Sequence, residues 1–208
     1  MSKDKQFWNR MAKRYFNQPI KDEGAYQIKL ETTQDYLRQD MEILEVGCGT
    51  GGTAIAHAPF VSHVTATDIS MNMLAYGEAR KAEAGVDNVT FREATVAEVL
   101  SGETQYDAIL MLSILHLLED PKDAIHQAVS RLKPNGYLVS STPCLRGELG
   151  LMSPALKLAG KTGLVPRTIQ EFSEDDLMGW IDDAGLKTVY HWRPEGGHAV
   201  FTISQRQV

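Results

Sequence analysis

At 208 residues the chain suits one domain, 1–208, with enough length to bury a substantial core. Hydrophobic residues make up 43% and charged residues 23%, a globular balance that excludes a disordered or fibrous chain. Lys and Arg number 21 against 27 Asp and Glu, and the net charge of -6 sets the surface as a whole against polyanions.

The first residues, Met1-Ser2-Lys3-Asp4-Lys5, are polar and lack the apolar core of a signal peptide. No apolar run approaches membrane-spanning length, so a cytoplasmic setting without a membrane partner is the default expectation. Lys3, Lys5, Arg10, Lys13 and Arg14 cluster along the opening helical stretch, and a solvated helix face accounts for them better than a nucleic-acid patch. Trp8 and Tyr15, seven apart, share one face of that helix. Next, Tyr26, Leu30, Thr33 and Leu37 recur at helical spacing, which predicts a helix over residues 24–39 that covers a sheet.

From Met41 onward short apolar runs alternate with helical segments. The strands read as Ile43–Val46, His63–Thr67, Val89–Arg92, Ala108–Leu112 and Tyr137–Ser141. A helix over Lys122–Leu132 buries Ala124, Ile125, Ala128, Val129 and Leu132, and Pro134-Asn135-Gly136 turns the chain into the next strand. This alternation implies an α/β fold with a parallel, doubly wound sheet and helices on both faces. Residues 142–172, with Pro143, Pro154 and Pro166, read as a lid-like insertion bearing a short helix near Ser153–Ala159. Ser173 opens another helix, with Asp176 as capping partner and Gly185 past its end. Thr188–Trp192 and Ala199–Ser204, separated only by residues 193–198, form an antiparallel pair.

The sharpest local pattern is Glu45-Val46-Gly47-Cys48-Gly49-Thr50-Gly51-Gly52 after the first strand. Glycines let the backbone approach a ligand closely, and the following helix turns its free N–H groups toward it. The spacing is not the Gly-x-Gly-x-x-Gly of a pyrophosphate site, and Glu45 would repel a pyrophosphate but attract an amino group. A nicotinamide-dependent oxidoreductase of the same fold is therefore the weaker reading. Asp68 ends the second strand, 21 residues after Gly47, where an acid can accept both hydroxyls of an adenosine ribose. Its alternative role is a helix N-cap. Cys48 and Cys144 form neither a disulfide framework nor a metal-ligand pattern, and no metal is expected.

With Asp68-Ile69-Ser70, Tyr106-Asp107-Ala108-Ile109 and Leu132-Lys133-Pro134-Asn135-Gly136-Tyr137-Leu138, this turn resembles the class I S-adenosylmethionine-dependent methyltransferases from about Met41 to Ser141. The resemblance implies a seven-stranded sheet, mostly parallel with one antiparallel strand. It also implies S-adenosylmethionine as methyl donor, with S-adenosylhomocysteine as product. Glu45, Gly47, Cys48, Gly49 and Gly51 would form the donor turn, Asp68 would hold the ribose, and Ile69 and Met73 would lie near the adenine. Many members carry an acid after the third strand for the adenine amino group. Here Thr95 stands in its place, so either Thr95 and the N–H of Val96 serve or Glu93 does. Residues 1–40 look like N-terminal helices over the donor, with Trp8 and Tyr15 facing it or merely packed in the core.

Leu112 leaves the fourth strand beside the donor's methyl group in the resembled family, and His116 follows it. Histidine titrates near neutral pH, which makes His116 the candidate general base, unless it only shapes the pocket. His191 and His198 read as strand-surface histidines rather than metal ligands, and Lys157, Lys161 and Arg167 in the insertion as solvated charges. The expected activity is methyl transfer to a small-molecule substrate by in-line displacement, in a monomer or homodimer without nucleic acid. A non-catalytic adenosyl-binding partner subunit and a protein methyltransferase are the alternatives.

Overall fold

In the computed structural model of the chain, the residues described are 2–146, 160, 165–197 and 199–207. The first strand, β1 (Glu42–Val46), turns Ile43 to one face and Leu44 and Val46 to the other, all three fully buried. A strand apolar on both faces must be covered on both. The same holds for β4 (Tyr106–Leu112), where Ala108 and Leu110 join one core and Ile109 and Met111 the other. Around them run β2 (His63–Asp68), β3 (Val89–Glu93), β5 (Leu132–Pro143), β6 (Leu186–Trp192) and β7 (Ala199–Arg206). The strand order is β3-β2-β1-β4-β5-β7-β6. Strands β1 to β5 pair in parallel, while β7 runs antiparallel to both β5 and β6. This is the seven-stranded sheet with one reversed strand that the resemblance implies.

Helices α1 (Lys3–Asn17), α2 (Glu23–Gln34), α3 (Gly52–His57) and α4 (Met71–Ala84) precede β3 in the chain. Ala54 of α3 and Leu74 of α4 close one core against Ile43, Val64 and Leu110. On the other face α5 (Val96–Leu100), α6 (Pro121–Ser130) and α7 (Glu174–Asp183) bury Leu100, Ile125 and Leu177 with Leu44 and Ile109. α1 packs along α4, with Phe16 stacked on Tyr76 at 4.4 Å between centroids and capped by the Arg80 guanidinium at 4.6 Å.

Several boundaries differ from the periodicity. The helix expected over 24–39 stops at Gln34, and Tyr36 and Leu37 continue in tighter turns, donating to Thr33 and Gln34 carbonyls at 3.0 Å. Their side chains still reach the core, which is why the helical spacing ran on. The helix expected to Leu132 ends at Ser130, and Leu132 instead opens β5, pairing with Tyr106. Because Ala108 pairs with Tyr137, the turn at Pro134-Asn135-Gly136 is a bulge inside that strand, with Asn135 at φ 63°. Asp107 clips it in place, accepting from Lys133 Nζ and from the Glu42 N–H, each at 2.8 Å. β5 also continues through Pro143, so residues 142 and 143 belong to the sheet and not to the insertion. The short helix near Ser153–Ala159 lies outside the described residues. Ser173 does cap α7 in a reciprocal box with Asp176, and Gly185 follows at φ 77°.

One packing contact joins β3 to the end of β1. Gly51 has φ +73°, and a Cβ there would sit 2.5 Å from Phe91 Cζ. Gly51→Ala is expected to cost roughly 3 kcal/mol, part from the left-handed backbone and part from the clash. Phe91→Leu should relieve only the clash, giving a favourable coupling of about 1 kcal/mol or more in a double-mutant cycle read by urea unfolding. Simple additivity of the two losses would refute this contact as the reason for glycine.

Candidate active site

The chain leaves β1 through three left-handed glycines, Gly47 (φ 69°), Gly49 (φ 54°) and Gly51 (φ 73°). The Cys48 N–H donates to the Thr67 carbonyl at 2.9 Å, tying the turn to β2. At the end of β2 the Asp68 carboxylate accepts from the Gly49 N–H at 3.0 Å and from the Ser70 N–H at 2.8 Å. Burial raises the Asp68 pKa, while those N–H donors oppose the shift. Ser70, not Asp68, caps α4, its hydroxyl accepting from Met73 N. The carboxylate of Asp68 is therefore free of the capping role and faces a cavity of about 780 Å³.

Gly47, Gly49, Asp68, Ile69 and Met73 line that cavity, joined by Thr95 and Val96 at the start of α5. Thr95 is also the N-cap of α5, in a capping box with Glu98. Glu93, the alternative to Thr95, is ion-paired with Lys5 of α1 and does not line the cavity. Leu112 and His116 line the far side, and Trp8 and Tyr15 come down from α1. α2 contributes nothing to the lining and backs onto α3 instead, with Tyr26 Oη 3.3 Å from Thr53 Oγ1.

Three expected donor residues face elsewhere. Cys48 is buried in the core with Ile43 and Ala54. Gly51 begins α3 and makes room for Phe91 rather than for a ligand. Glu45 lies beneath the turn, 4% exposed, its carboxyl receiving the N–H of Ala54 near the start of α3. Gly51 offers that helix no side-chain cap, so the acid one strand back supplies it. Its other oxygen, Oε2, has no partner. Burial, and then the charge of Asp68, pushes the carboxyl up to about 8.

His116 sits in a 3-10 turn, Leu115–Leu117, whose backbone carbonyl accepts from the Gln170 N–H at 2.7 Å. Burial holds its imidazole down to about 4, and Nδ1 is buried without a partner. Neutral imidazole is thus the form present at physiological pH, and its low basicity weakens the general-base reading. The arrangement suits hydrogen bonding to an acceptor group.

Some contributors carry no local sequence signal. Asn9 binds α1 to the start of α4, its Oδ1 accepting from Ser70 Oγ at 2.7 Å and its carbonyl from Asn72 Nδ2 at 3.0 Å. Ser113, at φ 56° where β4 ends, also lines the cavity, held by its N–H on the Ser141 carbonyl at 2.6 Å. The wall of Ile114, Leu117, Leu118, Leu145, Pro166 and Ile169 draws on three separate stretches of chain. Only the first of these was a visible apolar run. Arg167 donates its backbone N–H at 2.8 Å to Asp4, which lines the cavity; away from it His191 pairs with Glu174 at 2.7 Å, and Lys157, Lys161 and His198 lie outside the described residues. No helix among the described residues is long and apolar enough to cross a membrane.

The family model for a methyltransferase domain matches residues 20–191. A ubiquinone biosynthesis O-methyltransferase of Salmonella paratyphi A is 26% identical over 161 residues, covering 74% of this chain and 66% of that protein. The chain thus spans just under two thirds of the length of that relative. Among solved structures, a magnesium protoporphyrin IX methyltransferase from Synechocystis, with bound S-adenosylhomocysteine, superposes with a TM-score of 0.69 at 18% identity, covering 98% of each chain. An O-methyltransferase family protein from Burkholderia thailandensis gives a TM-score of 0.71 at 15% identity, over 97% of this chain and 58% of that one.

The carboxyl of Glu45 gives a test in the free protein. Its folded value of about 8 lies above the ordinary 4.5, so the folded chain holds a proton that the unfolded chain releases. That stabilisation is complete below 4.5 and is lost as pH rises through about 8. Glu45→Gln cannot titrate, so the variant should gain a few kcal/mol on the wild type between about pH 5 and about pH 9 in urea unfolding. Parallel profiles would mean that Glu45 is ionised throughout.

Proposed function

The chain belongs to the class I S-adenosylmethionine-dependent methyltransferases, and on that premise we propose that it methylates a small molecule bound in the cavity between α1 and the ends of β1, β2 and β4. The observation that carries this reading is the continuity of that cavity. One space of about 780 Å³ joins the glycine turn and Asp68 to the apolar wall around His116. That size falls within the range of sites for small ligands. α1 adds Trp8 and Tyr15 to the lining of that space, which narrows it for a protein tail or a nucleic acid.

The residues at the β1–β2 end fit the donor. Gly47 and Gly49 present bare backbone to the cavity, and Asp68, steadied by two N–H donors, keeps lone pairs on both oxygens for a ribose diol. Ile69, Met73, Thr95 and Val96 form the pocket for the adenine ring. When bound, S-adenosylmethionine supplies a methyl group on an electron-poor sulfonium. The protein's contribution is alignment, which can supply on the order of 7–11 kcal/mol of the barrier. Leu112 and Ile114 hold the acceptor in line, and Trp8 and Tyr15 exclude water from above. His116 holds the acceptor's polar group at the far side.

The direct test is transfer of labelled methyl from S-adenosylmethionine into a fractionated cell extract. Label in the small-molecule fraction is expected, and label only in protein or RNA would overturn the substrate class. Asp68→Ala should weaken S-adenosylhomocysteine binding by at least about tenfold in calorimetry, because each removed charge-assisted hydrogen bond is worth roughly 1.5–3 kcal/mol. Unchanged affinity would remove Asp68 from the donor site.

A further inference from the structure

Ser70 stands where β2, α4 and α1 meet, and it is fully buried. Its backbone N–H donates to Asp68 Oδ1 at 2.8 Å. Its hydroxyl accepts at 3.2 Å from the N–H of Met73, which lines the cavity with Asp68, and so caps α4. A hydroxyl that accepts still has its own proton to place, and Ser70 Oγ donates it to Asn9 Oδ1 of α1 at 2.7 Å. The Asn72 N–H, which can only donate, points at the same Oδ1 at 3.4 Å and so fixes the orientation of the Asn9 amide. Asn72 Nδ2 in turn donates to the Asn9 carbonyl at 3.0 Å.

α1 sits on the body as a cover. Ala12 is its buried residue, and residues 18–22, which lead on to α2, are all exposed. The tie of Lys5 to Glu93 is exposed too, and such pairs contribute little. The bond from Asn9 is partly shielded and lies next in the chain to Trp8, one of the rings over the cavity. Asparagine inside a helix is less favourable than alanine, because its side chain competes for the backbone. Local structure therefore gives no reason for Asn9, whereas the buried Ser70 hydroxyl does.

We propose that Asn9 is a positioning residue for the donor, coupling the docking of α1 to the occupancy of Asp68 through Ser70. The assignment rests on the methyltransferase reading and adds a residue to its donor site. A ribose held on Asp68 steadies the Asp68–Ser70 turn, and that turn presents the Ser70 hydroxyl to Asn9. Docked α1 in return keeps Trp8 and Tyr15 over the bound molecule. The coupling is reciprocal: the factor by which docked α1 raises donor affinity is the factor by which the donor favours docking.

The first test is hydrogen exchange of the wild-type protein with and without saturating S-adenosylhomocysteine. The α1 amides should exchange at least about threefold more slowly with the ligand, as expected for a cover that opens locally. Asn9→Leu keeps the volume but removes the acceptor. It should weaken S-adenosylhomocysteine binding by roughly three- to tenfold, the reach of one neutral hydrogen bond. The loss should appear as faster dissociation in stopped-flow fluorescence, and the protection of α1 should fall with it. Asn9→Asp keeps an acceptor for the Ser70 hydroxyl and the Asn72 N–H, and should stay within about twofold of the wild type. Indifference of the α1 amides to the ligand overturns the proposal, and that measurement needs no variant to fold. Wild-type affinity in Asn9→Leu, or an equal loss in Asn9→Asp, overturns it as well. Failure of the wild-type protein to bind S-adenosylhomocysteine at all overturns the methyltransferase reading instead.

Discussion

Three left-handed glycines stand within five positions at the end of β1, and at Gly47 and Gly51 their neighbours come closer than a side chain would allow. Gly51 leaves space only for the Phe91 ring of β3, and Gly77 on α4 receives the same ring from the other side, with a Cβ there falling 2.9 Å from it. A Cβ on Gly47 would meet Ile114 Cδ1 at 2.9 Å, so the loop after β4 is set against the turn as well. The missing side chains therefore position β3, α4 and the acceptor wall relative to β1. β1 and β4 are neighbours, and the connection leaving β1 runs to β2 on one side while that leaving β4 runs to β5 on the other. Such a switch point opens a crevice for a ligand.

Two acids meet under this turn and are treated differently. Asp68 accepts two backbone N–H groups through its two oxygens and borders the cavity. Glu45 receives one N–H, keeps an orphan oxygen and is sealed from solvent. Burial raises both carboxyls, but at Asp68 the N–H donors oppose the shift, whereas at Glu45 desolvation and the neighbouring charge carry it to about 8. Separating the two in this way avoids placing two full negative charges beside each other at the base of the site.

The cover over the site is held by contacts spread along α1. Lys5 pairs with Glu93, Asp4 takes the Arg167 N–H, Asn9 bridges to Ser70 and Asn72, and Phe16 stacks on Tyr76. The one ion pair among them, Lys5–Glu93, contributes little by itself. Together the contacts fix the helix in register, so that Trp8 and Tyr15 arrive over the cavity together.

The seven strands, the alternation with helices that implies a parallel sheet and the capping of α7 were legible in the sequence because each depends on local periodicity or on residues three apart. The glycine turn and Asp68 were legible for a similar reason: left-handed backbone and a strand-end acid are demanded by residue type. Other features were decided by the tertiary structure. Glu45 looked like a donor contact, yet its place on the Ile43 face of β1 aims it at α3, and the role of Gly51 follows from Phe91, which is 40 residues away. The low basicity of His116 comes from burial by segments remote in the chain. Sequence thus determined where the backbone must turn and which acid ends β2, since those are properties of single residues and their near neighbours. What each side chain faces, and the charge it carries there, is a property of packing across the sheet, and only the folded chain could decide it.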